Sequence, residues 1–315
     1  MKCLVTGASG FVGRSLVGEL LQRGCEVRAE TRSVNLMHED IEQVNVGSID
    51  DSTQWFGAVR ELDVVIHLAA RVHVMQDIAP DPLAEFRKTN TLGSLALAQQ
   101  AAAAGVKRFV FLSSIKVNGE STLTGAPFTE ENQPNPHDSY GVSKLAAEQG
   151  LQSLSLETGM EVIIIRSPLV YGPGVKANFA SLMRAVQKGL PLPLGAIHNQ
   201  RSLVALDNLT DFIITCIAHP KAANQTFLIS DGQDLSTTEL VQGMAQAAGV
   251  SARLLPVPVW ALEWAGRLVG KADAIQRLCG NLQIDSSKAR DLLGWVPKIS
   301  VQEGLRRAMN GNVKK

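Results

Sequence analysis

The sequence predicts an α/β protein with a doubly wound parallel sheet, because short apolar runs alternate with helix-period segments through its first half and a glycine-rich turn joins the first run to the first helix. Residues 1–6 read as a buried strand. Residues 11–23 read as a helix, since Val12, Leu16 and Leu20 recur every fourth position with Val17 and Leu21 alongside, and Gly24 follows as a stop. A second strand covers residues 25–30. Further strands are expected at 63–68, 107–112 and 161–166, the last two entered from helices that end at Gly105 and Gly159. The helix before Gly105 is alanine-rich and begins at Pro82. Beyond Tyr171 the alternation breaks at Gly172, Pro173 and Gly174, and Pro191, Pro193, Pro256 and Pro258 punctuate shorter elements. Two units follow from this: a sheet domain over 1–166, and a smaller lobe over 167–315 interleaved with the last sheet strands.

With 315 residues the chain can bury a substantial core without a staple. Thirty basic residues balance thirty acidic ones, so no global field draws the protein toward nucleic acid or an anionic membrane, and any phosphate site must be local. Cys3, Cys25, Cys216 and Cys279 lack C-x-x-C spacing and read as reduced, buried thiols. The first strand leaves no space for a signal peptide and no apolar run approaches the ~20 residues of a membrane span, so a soluble, cytoplasmic protein is expected. The amphipathic segment 260–279 is expected to pack on the second lobe through Leu262, Ala265, Leu268 and Val269.

The turn after the first strand is Thr6-Gly7-Ala8-Ser9-Gly10-Phe11-Val12-Gly13. Its glycines suit a tight turn, close approach of backbone to a pyrophosphate and close packing of helix on sheet, while the helix N-terminus offers free N–H groups. In this position it predicts a Rossmann-type dinucleotide site holding the cofactor with Gly7, Ser9, Gly10, Phe11, Val12 and Gly13. The second strand ends Ala29-Glu30-Thr31-Arg32. Strand alternation from Val27 puts Thr31 at the inward terminal position and turns Glu30 to the opposite face. A neutral Thr31 followed by Arg32 suits a 2′-phosphate, which favours NADP(H) over NAD(H).

Ser139-Tyr140-Gly141-Val142-Ser143-Lys144 opens a helix on which Tyr140 and Lys144 lie four residues apart on one face. A lysine ammonium there would lower the phenol pKa toward the working pH and make Tyr140 an acid or base. The buried run 109–112 ends in Ser113 and Ser114, at a strand C-terminus where ligands sit in such sheets. His67 reads as a satisfied structural histidine, and no pair among six histidines has metal-ligand spacing, so no metal is expected.

These segments together resemble the extended short-chain dehydrogenase/reductase family, in its nucleotide-sugar epimerase, dehydratase and reductase branch. The resemblance spans nearly the whole chain, through TGASGFVG at 6–13, HLAA at 67–70, Asn90 in TNTLGS, SSIKV at 113–117, YGVSK at 140–144, RSPLVYGPG at 166–174 and RSLV at 201–204. It implies Ser114, Tyr140 and Lys144 as the catalytic set. It implies cofactor contacts at Ser48, Ile49, Leu68, Ala69, Ala70, Ser113, Ser167, Pro168 and Val170 besides Tyr140 and Lys144, with Asn90 supporting the site. Lys116, Asn178, Phe179 and Arg201 would face a nucleotide sugar, Arg201 at its diphosphate with Arg277 as a weaker candidate. Ile115-Lys116 replaces the Asp-Glu pair of 4,6-dehydratases, and Leu169 replaces the substrate-contacting Asn of UDP-galactose 4-epimerases. The expected activity is therefore NADPH-dependent reduction of a UDP-linked 4-keto-6-deoxy-N-acetylhexosamine for surface polysaccharide. The alternative is a UDP-sugar 4-epimerase with tightly bound NAD. The resemblance also implies a homodimer formed through the helices around 83–104 and 140–156.

Overall fold

The structure, a computed structural model, describes residues 1–32, 41–72 and 80–311. Nine strands are present among them: β1 (Lys2–Thr6), β2 (Glu26–Glu30), β3 (Glu42–Val44), β4 (Val64–His67), β5 (Arg108–Ser114), β6 (Glu161–Ser167), β7 (Leu169–Tyr171), β8 (Leu203–Ala205) and β9 (Thr226–Leu228). Seven form one sheet in the order β3-β2-β1-β4-β5-β6-β9, every pair parallel. Strands β7 and β8 pair separately. The helices are α1 (Phe11–Gln22), α2 (Phe56–Val59), α3 (Pro82–Phe86), α4 (Gly93–Ala103), α5 (Ser139–Thr158), α6 (Ala177–Gln187), α7 (Leu206–Ala218), α8 (Thr237–Ala248), α9 (Val259–Leu268), α10 (Ala272–Cys279), α11 (Ser287–Leu293) and α12 (Val301–Gly311). The strand order reverses direction between β1 and β4, which opens a crevice at the strand C-termini.

Both faces of the sheet are covered, as the apolar strands require. On one face α1 and α7 pack with Trp295, and Phe212 lies edge-on between Phe227 and Trp295 at ring-centroid separations of 5.4 and 5.0 Å. Each such buried aromatic stabilises the fold by roughly 1.5–3 kcal/mol. On the other face Trp55, Leu97 and Leu151 close the core. A third cluster, built on Met183, Met244 and Leu305 of α6, α8 and α12, forms the interior of the second lobe.

Four features depart from the sequence expectations. The alanine-rich helix is not continuous: α3 and α4 are joined by a π-helical stretch, Arg87–Leu92. Strand β3 adds an edge to the sheet that no apolar run announced. Glu30 does not turn away from the glycine turn, because its Oε2 accepts a hydrogen bond of 2.9 Å from the Gly7 amide and it is buried there. In α9 only Leu262 of the four named apolar residues is buried, while Ala265, Leu268 and Val269 face solvent, because Gly266 rather than Ala265 completes the packed face against α10.

Candidate active site

The crevice floor is the glycine turn. Gly7 has φ +65°, and a Cβ on it would fall 2.9 Å from the Ala69 amide nitrogen. A Cβ on Gly13 would fall 2.3 Å from the Gly7 carbonyl. Glycine is thus required for turn, strand β4 and helix α1 to close up. Gly10 caps α1 with no side-chain hydrogen bond, so the first N–H groups of the helix are left for an anion. This cradle fits a dinucleotide pyrophosphate. Ser9, Phe11 and Val12 sit at its rim, partly exposed, and Leu68, Ala69 and Ala70 leave β4 beside it. Thr31 is buried at the end of β2, Arg32 is exposed, and Ser48 and Ile49 lie in the loop after β3. Ser167 ends β6, Pro168 follows it, and Val170 lies in β7. Burial raises the Glu30 carboxyl above its ordinary value, against the Gly7 amide and the Arg32 charge, which lower it.

At the end of β5 the Ser114 side chain accepts from the Lys116 amide at 3.3 Å and lies near enough to the Tyr140 phenol to lower its pKa. Tyr140 lies in the first turn of α5, where Asp138 is the N-cap and accepts from the Gly141 amide at 2.7 Å. Phe86 meets the Tyr140 ring edge-on at 6.2 Å. Lys144, one turn further, is 1% exposed. Its ammonium donates to the Leu112 carbonyl at 2.8 Å and stands 4.2 Å from the centre of the Phe111 ring. The electrostatics differ from the expectation that Lys144 would pull the phenol down. Burial and the Asp138 charge push the Tyr140 phenol well above its ordinary value, opposed by the Ser114 hydrogen bond. Burial brings Lys144 down to about 7, with the Glu148 charge opposing. The only other tyrosine, Tyr171, is committed elsewhere, donating to Asp231 at 2.8 Å in the lobe core.

Buried polar groups hold this arrangement. Asn90, in the π-helical stretch, accepts from the Arg71 amide at 2.8 Å and donates to the Arg71 carbonyl at 3.1 Å and to Ser143 Oγ at 3.0 Å. It therefore ties the loop after β4 to α5. His67 is fully buried and driven down to about 3 by burial and by Lys144, so it is neutral. Its Nδ1 lies 2.6 Å from Thr6 Oγ1 and its Nε2 lies 2.9 Å from Ser94 Oγ. Ser94 donates to the Asn90 carbonyl, which leaves its oxygen to accept from Nε2–H and leaves Nδ1 to accept from Thr6. The satisfied structural histidine is as expected.

Glu148, which the sequence reading passed over, accepts from Ser113 Oγ and takes Arg166 on both oxygens, the shortest contact being 2.6 Å. Arg166 continues to Asn118 at 3.0 Å. The pair clamps α5 to β5 and β6, and it occupies the Ser113 side chain. Its position four residues after Lys144, on the same helix face, was the available signal. Asp138 was legible too, as the Asp preceding a helix start.

Lys116 pairs with Asp138 and lies 3.4 Å from Glu120. Burial pushes the Asp138 carboxyl up, but hydrogen bonds from Lys116 and Gly141 outweigh it and hold the group below its ordinary value. Asn178 is exposed in the first turn of α6. Phe179 stacks on Tyr171 at 5.7 Å and is buried in the lobe core, so its ring is a packing element. Arg201 donates to the Gly280 carbonyl at 3.0 Å. Burial, and secondarily the Arg277 charge, lower its pKa, and the Arg277 charge also lowers that of Asp138.

A glycine-turn crevice flanked by a tyrosine, a buried lysine and a strand-end serine defines a nicotinamide-dinucleotide enzyme of the short-chain dehydrogenase/reductase class. The NAD-dependent epimerase/dehydratase family model matches residues 3–230, and the chain belongs to that family. It is 50% identical over 307 residues to a UDP-glucose 4-epimerase of Vibrio cholerae, covering 96% of this chain and 93% of that one. It is 28% identical over 321 residues to the GDP-6-deoxy-D-mannose reductase of Pseudomonas aeruginosa, covering 98% and 96%. Its fold matches the UDP-glucose 4-epimerase of Thermotoga maritima, solved with UDP-glucose, at a TM-score of 0.79 and 26% identity over 100% and 99% of the two chains.

Proposed function

We propose that the protein interconverts the C4 epimers of a UDP-linked hexose, with NAD held in the glycine-turn crevice. The observation that carries this reading is the meeting of Ser114 and Tyr140 above the buried Lys144, in a chain half identical to a UDP-glucose 4-epimerase. A bound nicotinamide would supply the hydride acceptor and donor. Tyr140 takes the proton from the C4 hydroxyl and later returns it, while Ser114 holds that oxygen in line. Lys116 offsets the Asp138 charge that opposes phenolate formation. Arg201 and Arg277 take the diphosphate, which leaves the sugar free to present either face.

The reductase reading keeps one specific support. At the end of β2 the carboxylate of Glu30 is taken up by Gly7 and the neighbours toward the crevice are Thr31 and Arg32, which suits a 2′-phosphate better than a bare ribose. Purified protein incubated with UDP-glucose and no added cofactor separates the two. Appearance of UDP-galactose, with NAD released on denaturation, is the expected result. No turnover without NADPH, together with stoichiometric NADPH oxidation by a 4-keto nucleotide sugar, would replace epimerisation by reduction.

A further inference from the structure

Helix α9 is apolar on two opposite faces. One face is accounted for: Leu262 is buried in the lobe cluster, and Gly266 lies so close to α10 that a Cβ there would fall 2.6 Å from the Ile275 side chain. The opposite face carries Trp260, Trp264 and Leu268 at four-residue intervals, and Val269, the residue just past the helix, is exposed as well. These four are 72, 65, 66 and 66% exposed, in that order. Large apolar groups clustered in the open mark an interaction surface.

The surrounding charge says which kind. Arg267 lies on the tryptophan side of the helix, Lys271 follows at the turn into α10, and both are exposed. Neither forms an ion pair among the described residues. Segment 251–280 holds four basic residues against two acidic ones, in a chain whose totals balance. Indole rings prefer the boundary between water and hydrocarbon, and neighbouring cations meet lipid phosphates. At 10 residues α9 is far too short to cross a bilayer, and no described helix of the chain is long and apolar enough to do so.

We propose that the outer face of α9 is a docking surface for an anionic lipid headgroup layer: Trp260, Trp264, Leu268 and Val269 enter the interfacial region while Arg267 and Lys271 contact lipid phosphates. The packed neighbour α10 carries Arg277, whose charge reaches Arg201. Docking on this face therefore holds the diphosphate-facing edge of the lobe close to the headgroups. The inference is independent of which C4 chemistry the protein performs.

The test is co-sedimentation of the full chain with sucrose-loaded vesicles of phosphatidylcholine, alone or with 30% phosphatidylglycerol as a typical anionic fraction (about a third of the lipid). Wild type is expected to pellet with the anionic vesicles, weakly with the neutral ones, and less as salt rises. The Trp260→Ser/Trp264→Ser and Arg267→Glu/Lys271→Glu variants should each lose about tenfold in vesicle partitioning while keeping wild-type turnover of soluble UDP-sugar and wild-type circular dichroism. Failure of wild type to pellet, or undiminished pelleting of the tryptophan variant, overturns the proposal. So does a change in the size of the lipid-free protein on replacing the tryptophans, since that would assign the face to a second copy of the chain. Turnover is read separately, so loss of the docking result leaves the reading of the active site untouched.

Discussion

At Tyr140 two neighbours of opposite effect decide the chemistry: the Asp138 carboxylate opposes loss of the phenol proton and the Ser114 hydroxyl favours it. Tyr140→Phe removes the transferable proton without altering the packing against Phe86, and kcat should fall by about 10²–10⁴ with unchanged circular dichroism. Lys144 makes a second prediction. Its pKa falls from 10.5 to about 7 on folding, so between those values the unfolded chain binds the additional proton. Its contribution to stability therefore rises as pH increases from 7 toward 10.5. Urea denaturation of Lys144→Met should show a flatter gain in stability between pH 7 and pH 9 than wild type, and an identical slope would refute the buried, weakened ammonium. The motif residues were legible because they are chemically rare at their spacing: Tyr140, Lys144 and Ser114 stand out in a chain with two tyrosines. What the sequence could not yield was the sign of the Tyr140 shift, which depends on how deeply the helix start is buried and on the partner of Asp138.

Among the elements, strands and helices with strong apolar periods were read within a residue or two, as with α1, β2 and β6. The edge strand β3, Glu-Gln-Val, has too few apolar residues to signal itself, and it exists because β2 offers unpaired backbone groups. The π-helical stretch was invisible for another reason. Its composition continues the helical pattern on either side, and the extra residue per turn is enforced by Asn90 and Thr91 bonding across to α5 and the loop after β4. Deleting one residue between 87 and 92 should restore a regular helix but rotate Asn90 by about 100° away from those partners. The expected readout is cofactor loss at retained helicity. The Glu148–Arg166 clamp ties α5 to β6 through a buried ion pair. Glu148→Gln leaves Arg166 buried without its counter-charge and should lower unfolding free energy by about 3–5 kcal/mol in denaturant titration.

For the whole molecule, alternation of elements disclosed the sheet and its crevice, and the later half of the chain contributes to both lobes. Strand β6 runs on to Ser167, and α7, β9 and Trp295 from the later half complete the first core. The helices expected at a two-fold interface carry outward apolar groups, Leu156 being 89% exposed at the end of α5. A dimer by sedimentation velocity, converted to monomer by Leu156→Glu, is the expected outcome. The return of β9 to the sheet has a further consequence for how such a protein can change its specificity. A fragment ending at the boundary would present β6 as a bare edge and an uncovered aromatic cluster, inviting aggregation. Grafting another lobe at that junction would import a foreign strand into the cofactor platform itself, so new sugars are better reached by replacing single side chains around the crevice than by transplanting modules.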